Sequence, residues 1–140
     1  MQTFLPYSSF FISARCLDTK RLGKQRLEAS QILNILLGTA NPGKNGKIGW
    51  VNHPAVKMWR GYEIALANYY NTILDEWIHR GYRNTMLFRY PNGQLIYPHW
   101  LGNSHFHSSH RSNLLRKNFE YYSQFCWNED PNAEYVWPIN

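Results

Sequence analysis

The stretch from Asp18 to Gly38, DTKRLGKQRLEASQILNILLG, decides the fold. Its apolar residues Leu22, Ala29, Ile32, Leu33 and Leu36 recur at helical spacing and define one buried stripe. Asp18 stands where an N-cap is needed, and Gly38 where a helix of this length must end. On the adjoining face Arg21, Lys24, Gln25 and Glu28 lie within i, i+3, i+4 and i+7 reach of one another. Glu28 is the only carboxylate in a helix that also carries Lys20, Arg21, Lys24 and Arg26. In a groove that binds a polyanion a lone carboxylate opposes affinity. It is explained either as a catalytic group or as an ion-pair partner that holds an arginine in place.

Outward from that helix, GTANPGKNGKIGW (38–50) holds four glycines, a proline and two lysines and reads as a connecting loop. It lacks the GxxxxGK[ST] spacing of a phosphate-cradling loop. A second, longer helix is expected from Pro54 to Gly81, capped by Asn52 or His53. Its stripe is Val56, Trp59, Glu63, Leu66, Tyr70, Ile73 and Trp77, and the carboxylate of Glu63 within it demands a partner. Residues 82–103 break the helical period, with a turn at Pro91-Asn92-Gly93. Helix resumes from Ser104 to Lys117, a further short turn runs through Tyr121 and Phe125, and YVWPIN is expected to pack back on the core. With no internal repeat or linker, residues 1–140 read as one mainly α domain, a compact helical bundle with long loops.

Composition narrows the function. Aromatic residues make up 16% of the 140-residue chain, which argues against disorder. No run of 18 apolar residues is present, and MQTFLPYSSF lacks the basic-then-apolar pattern of a secretory signal. Cys16 and Cys126 are too few for a disulfide framework and are expected in the core of a protein kept in a reducing compartment. The net charge is +6, and it is unevenly spread. Residues 1–62 hold nine basic residues against Asp18 and Glu28, whereas Glu129, Asp130 and Glu134 stand alone after Trp127. Such asymmetry favours a polyanionic partner.

Two donor-rich clusters remain. His105, His107 and His110 raise the possibility of a metal, but only His107 and His110 share a helical face, and no HExxH or CxxC accompanies them. Their surroundings are more informative. His107, His110, Arg111, Ser112, Asn113, Arg116 and Lys117 form a donor-rich set with little negative charge. That set suits a phosphate-gripping surface, or simply a solvated helix face.

Read together, LDTKRLGKQRLEASQIL (17–33), EWIHRGY (76–82) and SHRSNLLRKNFEYY (109–122) resemble the phage-type pyrimidine-dimer DNA glycosylases known as endonuclease V. The resemblance implies a helical single-domain repair enzyme that excises a damaged base and then cleaves the backbone at the abasic site, without metal or other cofactor. In that family an N-terminal α-amine attacks the sugar C1′ to form an imine, and a helix-borne glutamate stabilises the sugar cation and assists elimination. Carried onto this chain, the glutamate is Glu28. The ligands of DNA are Arg21, Lys24 and Arg26, with His110, Arg111, Arg116 and Lys117 from the later segment, and the donor-rich set adds His107 and Asn113. An α-amine suits imine formation, because its pKa near ~8 leaves far more free base at neutral pH than lysine near ~10.4.

The chain departs from that family at its start. Met1-Gln2-Thr3 stands where relatives expose a threonine amine, and a bulky residue at position 2 disfavours methionine removal. The nucleophile is then the Met1 amine, a lysine such as Lys24, or none. Trp59 and Trp100 are the candidate surfaces for stacking a displaced base. The expected partner is damaged double-stranded DNA, met by a monomer in the cytoplasm at the nucleoid, with no membrane involved. The rival readings are a non-catalytic nucleic-acid-binding module on the same scaffold and a nuclease that uses a metal held by the histidines.

Overall fold

A short helix that the sequence pattern does not flag, α1 (Phe10–Cys16), starts at Ser9, whose hydroxyl accepts from the Ile12 amide. The computed structural model describes residues 1–139, which contain helices, turns and irregular segments but no strand. α2 (Thr19–Leu37) follows at once. The Asp18 carboxylate accepts from the Arg21 amide at its start, and Gly38 closes it in the left-handed conformation (φ 74°). Both termini lie where the sequence places them.

The single helix expected from Pro54 to Gly81 is two helices. α3 (Pro54–Lys57) is one turn, and α4 (Glu63–His79) starts after a reversal at Gly61, whose φ of 88° only glycine adopts without strain. This break also resolves Glu63. The side chain is in the first turn of α4 rather than in a buried stripe, and it accepts from the Gly61 amide at 3.0 Å. The helix dipole favours a carboxylate there. The acid that α4 does bury is Glu76. It pairs with Arg80, whose Nη2 also donates to the carbonyls of Ala14, Arg15 and Leu17. Arg80 thereby ties the end of α1 to the end of α4.

α2 and α4 form the central pair, and α1 packs on α4. Gly23 of α2 leaves room for the Trp77 ring of α4, from which a Cβ would stand 2.9 Å. α5 (Ser104–Lys117) has the limits expected of it, and α6 (Phe119–Tyr122) with a 3-10 turn (Ser123–Phe125) completes the helices. Asp18 joins α2 to α6 through Tyr122, whose hydroxyl donates to the carboxylate and accepts from the Asp18 amide. Trp59 and Trp100 are core residues, 0% and 3% exposed, so neither offers a stacking surface to a base. Cys16 is buried as expected, whereas Cys126 is exposed.

The unusual feature is the N-terminal segment. Thr3, Phe4 and Leu5 run through the core as irregular chain rather than lying on its surface. Their backbone groups, unpaired by any strand, must bond to side chains. Phe4 N–H donates to Gln25 Oε1 (3.1 Å), Leu5 N–H to His110 Nδ1 (2.9 Å), and Tyr69 Oη donates to the Phe4 carbonyl (2.8 Å). The Leu5 carbonyl accepts from His107 Nδ1 (2.8 Å) and the Pro6 carbonyl from Arg111 (2.7 Å). Side chains of α2, α4 and α5 thus hold this segment and fix where the chain's first residue emerges.

Candidate functional site

The chain's start emerges beside Glu28. Gln2 N–H donates to Glu28 Oε2 at 2.8 Å, and the Gln2 carbonyl accepts from Gln25 Nε2 at 3.0 Å. The Glu28 side chain is 14% exposed, with Lys24 Nζ 3.7 Å from Oε1 and Gln25 Nε2 3.5 Å from Oε2. Around this carboxylate opens a cleft of about 450 Å³, lined by Met1, Gln2, Phe4, Lys20, Arg21, Lys24, Glu28, His53, Lys117 and Trp137. Four cations from α2 and α5 therefore face one acid and the N-terminal residue. Burial and the neighbouring charges of Arg21, Arg116 and Lys24 hold Lys117 below the ordinary lysine range, with Glu28 opposing them.

Gln25 organises the site's inner wall. Its Oε1 accepts from Phe4 N–H and shares the single Tyr69 hydroxyl proton (2.7 Å) with the Phe4 carbonyl, while its Nε2 donates to Gln2 and Glu28. Burial pushes the Tyr69 hydroxyl well above the usual tyrosine range, so it stays a donor at any physiological pH. Nothing in the periodicity distinguishes Gln25 from its neighbours, because its task depends on a segment more than twenty residues away. His53 and Trp137 also escape sequence reasoning. His53 reads only as a helix cap, and Trp137 as one more aromatic of the tail.

A larger groove of about 970 Å³ runs between α1, α4 and residues 88–101. Phe10, Phe11, Phe88, Tyr90 and Tyr97 line it, and its only charged residue is Asp75, so it offers a polyanion no cation.

The residues expected to contact DNA separate into two groups. Arg21, Lys24 and Lys117 converge on the cleft, and Met1 and Glu28 stand within it. The others do not join them. Arg26 turns away from Glu28, stacks on Trp77 at 4.1 Å and donates to Asn84. His107, His110 and Asn113 are buried, so the phosphate-gripping surface expected of 107–117 is in large part an inner face. Arg111 is engaged by the Pro6 carbonyl and by Glu129 at 3.0 Å. Arg116 is exposed and reaches the Pro131 carbonyl at 3.3 Å.

The physical reason is the N-terminal segment, whose backbone draws the histidines inward as acceptors and donors. Burial depresses both imidazoles, His107 below its ordinary value and His110 to about 3. A neutral histidine bonded to backbone on the inner face is not free to bind metal, and His105 points to solvent instead. Among the described residues no three His, Cys, Asp or Glu side chains converge as a ligand set.

A helical scaffold that gathers cations around one sheltered carboxylate offers a surface suited to a polyanion. The chain belongs to the pyrimidine dimer DNA glycosylase family, whose model matches residues 1–90. Membership makes DNA its substrate class and DNA repair its setting. The matched stretch contains the N-terminal segment, Glu28 and His53, whereas Lys117 and Trp137 lie beyond it. No curated protein and no solved structure matches the chain. No helix among the described residues is long and apolar enough to cross a membrane.

Proposed function

We propose that the cleft carries out both base excision and strand cleavage on duplex DNA containing a pyrimidine dimer, with the Met1 amine as nucleophile and Glu28 as its partner. The observation that carries this reading is the 2.8 Å bond from Gln2 N–H to Glu28 Oε2, which fixes the first residues of the chain against the carboxylate. In the first step the amine lone pair attacks C1′. The C1′–N glycosidic bond breaks, and the base, still joined to its dimer partner, takes the bond's electron pair and a proton. Ring opening then delivers a proton to O4′, and loss of the remaining amine proton gives the C1′=N imine. Removal of a C2′ proton and rupture of the C3′–O bond complete β-elimination, and water releases the amine.

Glu28 suits both stages. Its charge is opposite to the cation that develops at the sugar, and it stands within the site as a carboxylate able to take a proton. Arg21, Lys24 and Lys117 supply the phosphate contacts that hold the strand. The enzyme is expected to act as a monomer, without metal, on cytoplasmic DNA.

Borohydride trapping on duplexes with a pyrimidine dimer or an abasic site tests this proposal. The expected result is a covalent adduct with the native chain, insensitive to EDTA, and its loss in Glu28→Gln. Intact DNA binding with no adduct and no glycosidic-bond cleavage would instead identify a non-catalytic binding module. Cleavage abolished by EDTA would identify a metal-dependent nuclease.

A further inference from the structure

His53 lines the cleft, and its ring is held at one nitrogen. Its Nδ1 accepts the Ala55 amide at 3.0 Å, the bond that caps α3. A backbone N–H can only donate, so Nδ1 must carry a lone pair and the ring proton of the neutral form must sit on Nε2. Protonating Nδ1 would set two N–H groups against each other and remove the cap. The ring is steadied edge-on by Trp50 (5.5 Å, 67°) and Trp137 (5.7 Å, 86°), which flank it from the preceding loop and from the tail.

Met1 from the N-terminal segment, Glu28 from α2 and Lys117 from α5 line the same cleft. Burial and then the amine charge disfavour the imidazolium, Glu28 favours it, and the balance falls below the ordinary histidine value.

We propose that His53 is a positioning residue that presents a fixed Nε2–H donor to an uncharged oxygen of the nucleotide bound in this cleft. It is not a base, because the only nitrogen with a free electron pair is occupied by the α3 cap. A donor locked in this way loses no freedom on binding and stays a donor as the chemistry proceeds. This assignment rests on the proposed glycosylase-lyase reading for its effect on rate, but the tautomer itself does not depend on that reading.

Two isosteric substitutions separate the ring's two tasks. His53→Asn keeps a capping acceptor near Nδ1 and removes the donor at Nε2. His53→Gln carries an amide N–H to the position of Nε2 and gives up the cap. The expected outcome is that Asn leaves the melting temperature near wild type while lowering the second-order single-turnover rate of glycosidic-bond cleavage by about tenfold, the scale of one lost hydrogen bond. Gln should lower the melting temperature and keep more of the rate. An Asn variant as fast as wild type, or a Gln variant slower than Asn at a temperature where both are folded, would overturn the proposal.

Nitrogen NMR of the full chain, with the His53 signals assigned by their loss in the Asn variant, gives an arm independent of activity. A pyridine-type Nδ1 and a protonated Nε2 at pH 7 are expected, and an imidazolium or a protonated Nδ1 would refute the assignment. If native protein cleaves no glycosidic bond, the reaction reading fails, while the NMR result still decides the state of His53.

Discussion

The first turns of α2 and the whole of α5 look alike in sequence, since both are runs of cationic and hydrogen-bonding side chains. In the fold they do opposite work. Lys20, Arg21, Lys24 and Glu28 open onto a cleft, whereas His107, His110, Ser112 and Asn113 turn inward. What separates them is a third element. The irregular N-terminal segment carries unpaired amides and carbonyls through the core, and α5 provides much of what satisfies them. Donor-rich composition therefore marks a partner for polar groups without saying whether that partner is a ligand or the protein's own backbone.

The sharpest way to break this comparison is a substitution on each side. Glu28→Gln is expected to lower elimination at an abasic site by roughly 100-fold or more, the scale of a lost general base, while leaving DNA affinity and melting temperature almost unchanged. Equal loss of binding and rate would make Glu28 a structural ion-pair partner of Lys24. On the other side, His110→Ala removes a fully buried ring and leaves the Leu5 amide without its acceptor. A destabilisation of about 3 kcal/mol is expected from the cavity and the orphaned donor, measured by denaturant unfolding. DNA affinity at a temperature where the variant is folded should be unaffected, and a loss there would return α5 to the binding surface.

Acid supplies the next test. An unfolded histidine takes up its proton near pH ~6.5, whereas His110 in the fold resists until about 3. The depressed folded value means that its stabilising effect is complete above ~6.5 and is lost as pH falls from there toward 3. The slope reaches about 1.4 kcal/mol per pH unit for one proton. His107 is depressed for the same leading reason and adds in the same sense. Stability of His110→Phe should show a slope smaller by about one proton over that interval, and an unchanged slope would mean that His110 is not held neutral.

Smaller effects should fall on the rim. Lys117→Ala and Arg21→Ala are expected to weaken binding to duplex DNA several-fold and to reduce the salt slope by about 1 each, as loss of one phosphate contact requires. Arg26→Ala, which leaves the cleft untouched but removes the Trp77 stack, should lower stability by about 1 kcal/mol and leave that slope alone. The smallest change is expected for Tyr135→Phe. The Tyr135 hydroxyl is buried without a hydrogen-bond partner, so its removal should shift unfolding by less than about 0.5 kcal/mol or stabilise the protein.

Where local signals act alone, the sequence was readable. The Asp18 cap, the Gly38 stop and the full extent of α5 follow from residues within a turn of each boundary. The expected helix through 54–81 failed because apolar residues keep a 3-4 rhythm across the reversal at Met58–Tyr62, masking the turn that Gly61 allows. α1 is too short for periodicity to reveal. In the cleft, Glu28 stood out because a lone acid among cations is conspicuous by itself. Gln25, His53 and Trp137 did not, since each acquires its task from a segment distant in sequence. The inward turn of α5 was hidden for the same reason, because nothing in the N-terminal MQTFLPYS announces that it is buried chain in need of partners.

The central claim is that the N-terminal amine beside Glu28, and no lysine of the cleft, bonds to the sugar. Peptide mapping of the borohydride-trapped adduct on dimer-containing duplex DNA tests it most directly. The sugar remnant is expected on the α-nitrogen of the peptide containing Met1. Attachment to Lys24 or Lys117 would contradict that claim.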